Sequence, residues 1–383
     1  MAAPSAARID CDFPGGNIIV GDVEGDRVDL RQDPRDTEGF WFWWYMRVRG
    51  AAGRELDFCF TGGDVIGVRG PAASSDGGRS WRWLWPLREG PSDAFRYAFG
   101  PGEDDVRFAF AVPYLEADLR EWLARHEGNP ALRVDELCRS RAGRAVERLH
   151  VTDPGRTGEP RHRVLFTSRH HACECAATYV MEGLLAEALS GSTAGEWLRS
   201  ECEIAAVPFM DKDGVEAGDQ GKNRRPHDHN RDYAGESIHP EVAAMRRWAP
   251  EWSGGRLHVT MDLHCPAICG EWNERVYFVG GREEEVWERT LEFARLLAEE
   301  NDSPVPYDPG CNLPFGTAWN TDANRGEGRS CSAWGREDLP DTVISASMEF
   351  PYANLGGVET TPERARDFGR VLARALARYL QGL

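Results

Sequence analysis

From residue 161 onward the chain alternates between apolar runs of two lengths, and this alternation limits the fold more than any other feature. RHRVLFTS, CEIAAVPFM, RLHVTMDLH, RVYFVG and TVISASMEF are short, as buried strands are. ATYVMEGLLAEAL, HPEVAAMRRWAPEW, EEEVWERTLEFARLLAEE and PERARDFGRVLARALARYLQGL are longer, as helices are. Strands that alternate with helices predict an α/β sheet covered on both faces. No Gly-x-Gly-x-x-Gly follows the early strand and no phosphate-loop motif occurs, so nucleotide binding has no support.

The ends of these strands carry ionisable residues. In TSRHHACECAATYV, His171 and Glu174 stand three apart, between the RVLFT run and a helical run. An isolated His-x-x-Glu is usually a solvated pair along a helix side. Here LHVTMDLH ends at His264 and TVISASMEF reaches Glu349, so three strand ends converge on similar chemistry. Open α/β sheets build their sites beyond the carboxyl ends of their strands. Two imidazoles and a carboxylate suit Zn²⁺, and three protein ligands leave a fourth position open. The expectation is one Zn²⁺ per chain on His171, Glu174 and His264. Cys173 and Cys175 flank Glu174 and would compete with that set. The ten cysteines are scattered, and a reduced, mostly buried state in the cytoplasm is the simpler expectation.

The first ~115 residues read as all-β. NIIVGDVEG, FWFWWYMRVRG, RELDFCFTG, SWRWLWPL and DDVRFAFAVPY are strand-like runs separated by Gly, Pro, Asp and Ser. In the second run Trp41, Trp43 and Tyr45 would share one face, with Phe42, Trp44 and Met46 on the other. Apolar residues on both faces predict core and interface packing in preference to a carbohydrate-binding surface. They also leave a homo-oligomer open. YLEADLREWLARH then turns helical, with Leu115, Leu119, Trp122 and Leu123 on one side. The expected division is a β domain over 1–118, a helical connector over 119–154 and a catalytic domain over 155–383.

A formal charge of −18 argues against general nucleic-acid binding. MAAPSAARIDCDF has no apolar leader segment, and no run approaches the ~18 apolar residues of a membrane span. No membrane partner is therefore expected.

These motifs together resemble the zinc metallocarboxypeptidases, and in particular a bacterial form of the cytosolic carboxypeptidase branch. SRHHACE resembles the family's zinc motif, and DLH before CPAI resembles its third-ligand motif. PFMDKDGVEAGDQGKNRRPHDHNRDY resembles its NPDGV…G-x-x-R…D-x-N-R stretch, and SMEFPY the strand of its catalytic glutamate. The resemblance implies a zinc carboxypeptidase-type α/β/α sandwich with a mostly parallel or mixed sheet, preceded by an all-β sandwich. It implies Glu349 as general base and Arg224 as the arginine that polarises the carbonyl. Asn230 and Arg231 would grip a terminal carboxylate, and Asp228 would orient a histidine ligand. The loop before Asn230 is short for the family, so Arg225 is an alternative to Arg224. Cys173 replaces the usual glycine. The tyrosine that secreted relatives place some twenty residues before the catalytic glutamate is missing, which leaves capping to Trp319, Trp334 or another group. Asp262 either orients His264 or caps a helix. His170, His229 and Glu182 receive no role.

The implied activity is removal of C-terminal residues from peptides or proteins, with acidic residues as the favoured class. The alternative is a zinc amidase or deacylase acting on an amino-acid conjugate or another small amide.

Overall fold

The computed structural model describes residues 7–325, 327–339 and 341–383. Met1–Ala6, which belong to the expected first domain and to the stretch read for a leader, lie outside the described residues.

Nine strands come first: β1 (Arg8–Asp10), β2 (Ile19–Glu24), β3 (Arg27–Arg31), β4 (Tyr45–Arg49), β5 (Glu55–Phe60), β6 (Ala72–Ser74), β7 (Arg82–Trp83), β8 (Ala94–Ala98) and β9 (Asp105–Ala109). They form two sheets, in the orders β1-β4-β9-β6-β7 and β2-β3-β5-β8. Alternate residues of β5 are buried, as one solvated face requires. Between the sheets, Phe58 and Phe95 meet Phe108 with ring centroids 5.7 and 5.3 Å apart. The expected β-sandwich is thus present, but the FWFWWYMRVRG run pairs as a strand only from Tyr45 to Arg49. Phe42–Trp44 are buried outside that strand. Phe42 packs on Phe110 at 4.7 Å and on Tyr352 of the second half at 5.8 Å, so the aromatic run serves core and seam.

The segment expected to be a helical connector is helical only over α1 (Glu116–Arg125). It continues as β10 (Leu132–Arg139) and β11 (Ala145–Val151), which join the large sheet. Then follow β12 (His162–Ser168), α2 (Ala176–Ala188), α3 (Thr193–Glu201), β13 (Cys202–Val207), α4 (Lys212–Ala217), α5 (Pro240–Ser253), β14 (Leu257–His264), β15 (Tyr277–Val279), α6 (Glu284–Glu300), α7 (Asp322–Arg325), α8 (Cys331–Asp338), β16 (Ile344–Glu349), a short ladder of β17 (Asn354–Leu355) with β18 (Val358–Glu359), and α9 (Pro362–Gln381), besides short 3-10 turns. The seven-stranded order is β10-β11-β13-β12-β14-β16-β15. Its centre, β13-β12-β14-β16, is parallel, and its edges are antiparallel.

Side chains alternate across this sheet into two cores. Val164 and Phe166 of β12 join the core of α2, α3, α6 and α9, while Leu165 joins that of α5 and α8. The sheet is therefore covered on both faces. Helices α2 and α9 approach backbone to backbone, because a Cβ on Gly183 would lie 1.9 Å from the Arg366 carbonyl oxygen. That contact anchors the helix that starts two residues after Glu174.

Candidate functional site

The site grows from the carboxyl ends of β12, β14 and β16. After β12 the chain turns through Arg169, a non-glycine residue at φ +60°. The Arg169 guanidinium is buried and donates to the carbonyls of Ala172 (2.9 Å) and Tyr114 (2.8 Å). This holds the 169–175 turn rigid before α2 begins. In the turn, His171 Nδ1 faces Glu174 Oε1 at 2.7 Å. From β14, His264 Nδ1 faces the other oxygen, Oε2, at 2.6 Å. The three ligand atoms lie within 4.8 Å of one another and all three residues are buried.

Each imidazole is backed on its far side. Asp228 Oδ1 lies 3.8 Å from His171 Nε2. Asp262 Oδ2 lies 2.5 Å from His264 Nε2, so Asp262 fixes the orientation of this imidazole. Asp262 Oδ1 in turn takes hydrogen bonds from Thr167 and His170, each at 2.8 Å, and His170 Nε2 meets the Tyr233 hydroxyl at 2.8 Å. Both partners of His170 are remote in sequence, so no local signal separates this buried donor from a solvated neighbour of the site.

The carboxylates around the two imidazoles give this pocket a charge that suits a cation. Burial pushes the Glu174 carboxyl up, but His171 and His264 overcome it and hold the group below the usual carboxylate range. Burial pushes His264 down, yet Asp262 and Glu174 raise it well above an ordinary imidazole. An ionised carboxylate between two imidazoles, backed by Asp228 and Asp262, is a donor set that fits Zn²⁺.

Glu349 ends β16, and its Cα pairs in register with that of His264. Its Oε2 is buried and has no hydrogen-bond partner among the described residues. Burial, with the charge of Glu174 adding to it, pushes the carboxyl up to about 7. That value is suited to a group that takes and returns a proton near neutrality.

His171, Asn230, Arg231, His264 and Glu349 line one cavity of about 560 Å³. Asn230 Nδ2 lies 3.1 Å from His264 Nε2, and Asn230 Oδ1 accepts from the Cys331 amide at 2.9 Å. Arg231 donates to the Asn230 carbonyl at 2.9 Å. Of the two aromatic candidates for capping, Trp319 lines the cavity and is 39% exposed. Trp334 is buried in the core against Tyr233 and does not line the cavity.

The expectation for Arg224 and Arg225 needs correction. Arg224 points away, into a ring of carboxylates: Asp211 at 2.6 Å, Asp219 at 2.7 Å and Asp36 at 3.0 Å. A guanidinium neutralised on three sides has little left for a substrate. The Arg225 side chain is 81% exposed and pairs with Glu38. The cation that this loop does bring to the cavity wall is Lys222. One signal marked it: the chain has only two lysines, Lys212 and Lys222, among its 45 basic residues.

Residues 119–268 match the family model described as zinc carboxypeptidase. The fold is similar to the metallo-carboxypeptidase of Burkholderia cenocepacia, with a TM-score of 0.80 and 20% identity over 98% of this chain and 99% of that one. An uncharacterised protein of Zymomonas mobilis is 23% identical over 98% of this chain and 97% of its own length. Cytosolic carboxypeptidase 2 of Xenopus tropicalis is 32% identical over 35% of this chain, a match that spans 15% of that longer protein. Residues 119–268 are thus similar to the zinc carboxypeptidases, the whole chain shares the fold of the Burkholderia cenocepacia protein, and the His171, Glu174 and His264 donor set could hold a zinc ion. No helix among the described residues is long and apolar enough to cross a membrane.

Proposed function

We propose that this protein is a cytoplasmic exopeptidase of the cytosolic carboxypeptidase-like branch, which removes acidic residues from the C-termini of peptides or proteins. The observation that carries the reading is the unpartnered, buried Glu349 carboxylate beside the His171–Glu174–His264 set, in a cavity that also holds Arg231. When bound on these three residues, zinc supplies a Lewis acid and acidifies water. Glu349 takes the proton of the attacking water and delivers it to the departing amine. Lys222 faces the oxygen on which negative charge develops. Asn230 and Arg231 hold the free carboxylate by charge-assisted hydrogen bonds, which limits cleavage to the last residue. Asp228 and Asp262 hold the ligand imidazoles in orientation.

The acidic preference is supported by the lining of the cavity. Five cations among the described residues line it, in a chain whose net charge is −18; Arg282 pairs with Asp322, Arg329 with Glu337 and Asp338, and Arg336 with Glu283, so the preference is carried by Lys222 and Arg231. Arg336 is buried, with a side chain 3% exposed, pairs with Glu283 at 2.6 Å and donates to the Ser345 carbonyl at 3.0 Å. A cytoplasmic setting is supported by the ten cysteines, all unpaired. On this reading the catalytic unit begins at β10.

The test is mass spectrometry of purified, zinc-loaded protein with a peptide panel. The panel varies the last residue and pairs each free-acid end with its amide. Release of single residues from free-acid ends only, fastest for glutamate or aspartate, is the expected result. Equal cleavage of amidated ends would move the assignment to a small-molecule amidase or deacylase.

A further inference from the structure

The N-terminal sandwich does more than pack against the catalytic unit. The loop over 217–225, which carries Lys222, is held along its length by residues 32–43 of that sandwich. Gln220 exchanges two hydrogen bonds with the Trp43 backbone, at 2.7 and 2.8 Å. The Thr37 hydroxyl donates to the Lys222 carbonyl at 2.7 Å, and the Glu38 amide donates to the Asn223 carbonyl at 3.0 Å. Arg35 pairs with Asp219 at 2.6 Å. At the centre of this strap stands Trp41. Its ring lies 5.6 Å from the Lys222 ammonium, and its indole N–H donates to Cys173 Sγ at 3.2 Å. Cys173 sits between the ligands His171 and Glu174. Trp41 thus touches both the cavity cation and the metal-ligand turn, although it does not itself line the cavity. On the catalytic side the loop cannot retreat, because a Cβ on Gly221 would lie 2.1 Å from the Ala172 nitrogen.

We infer that Trp41 is a positioning residue, which aims the Lys222 ammonium into the cavity through its ring face, so that the active site is complete only with the N-terminal sandwich in place. The inference rests on the role assigned to Lys222 above. An ammonium over an indole face is attracted by the ring quadrupole, and tryptophan does this better than any other side chain. A flexible four-carbon stem otherwise leaves the charge free to sample many positions.

The test is a kinetic cycle in the full-length zinc enzyme, with the panel peptide that the parent cleaves fastest. Trp41→Leu, Lys222→Met and their combination are compared, with Trp41→Phe as the conservative variant. Zinc content and melting temperature are measured for each. Trp41→Leu is expected to lower kcat about tenfold with KM nearly unchanged. Trp41→Phe, which keeps a ring face, is expected to recover most of that loss. In the Lys222→Met background, Trp41→Leu should add nothing. A general loosening of the fold would lower the rate in both backgrounds, so effects that multiply would overturn the inference. If Lys222→Met alone turns over at the parent rate, the role of Lys222 fails and the inference with it. Because the chain has only two lysines, a protein labelled at lysine ¹³Cε gives a direct second readout. Trp41→Leu should move the signal that Lys222→Met deletes and leave that of Lys212 in place. An unmoved Lys222 signal would also overturn the inference.

Discussion

Strands β12 and β14 carry a pair of histidines at each end, and the two pairs behave in opposite ways. Near the carboxyl ends, the His171 and His264 rings lie 4.9 Å apart. Near the amino ends, the His162 and His258 rings lie 4.8 Å apart. Spacing therefore does not distinguish them. At the carboxyl ends Glu174 reaches both imidazoles, and His264 is raised well above its ordinary value. At the amino ends the two Nδ1 atoms face each other at 3.1 Å. Burial, the neighbouring His258 and Arg161 push His162 down to about 4. Two close imidazoles are a neutral core pair until a carboxylate supplies the charge that a cation will later balance. On the proposed assignment, Glu174 and its surroundings distinguish the metal site more than histidine does.

The largest expected effect separates reactivity from metal holding within the carboxyl-end group. Glu349→Gln should lower kcat by about a thousandfold or more while zinc stays near one per chain by elemental analysis. Full activity in that variant would remove Glu349 from the chemistry. Next, Glu174→Gln makes the upper pair resemble the lower one. Zinc affinity, read by competition with a chromogenic chelator, should fall on the order of a hundredfold. Retention of parental affinity would mean that the histidines suffice and the contrast is wrong.

A smaller effect concerns acid. The folded state holds His162 near 4, against 6.5 for an ordinary imidazole, so between these values the unfolded chain binds the proton that the folded chain refuses. Stability from this group is full above about pH 6.5 and lost as pH falls towards 4. His162→Leu should flatten the acid limb of urea-denaturation stability by on the order of 1 kcal/mol over that window. An unchanged limb would show that His162 titrates normally. The smallest change adds a carboxylate to the lower pair: Arg161→Glu should raise the His162 pKa, followed by NMR, by about one unit. No movement would show that burial alone sets it.

The catalytic sheet was legible because its strands are apolar on both sides and its helices amphipathic. Strands β10 and β11 were not, since ALRVDELCRSRAGRAVERLH is rich in charge and follows a helical pattern. As β10 is an edge strand, its Arg133, Asp135 and Glu136 can stay at the surface, and Arg148 answers Asp135 across the ladder at 3.5 Å. Residues 42–44 are buried at the core and the seam, as apolar residues on both faces predict, but they do not pair as a strand, which begins at Tyr45. Within the site, His171 and Glu174 were readable because they are local, and His264 and Glu349 because they end strands. Lys222 was passed over for Arg224, because what orients this loop is a segment some 180 residues earlier in the chain.

The register of β14 with β16 sets an order of assembly as well as a distance. Polypeptides are made from the amino terminus, and domains form as their parts emerge. Trp41, the two aspartates behind the ligands and all three zinc ligands are translated before Glu349, whose strand must add to the edge of β14. The residues of the donor set therefore leave the ribosome before Glu349 does, and α9, which anchors the helix after Glu174, leaves it last.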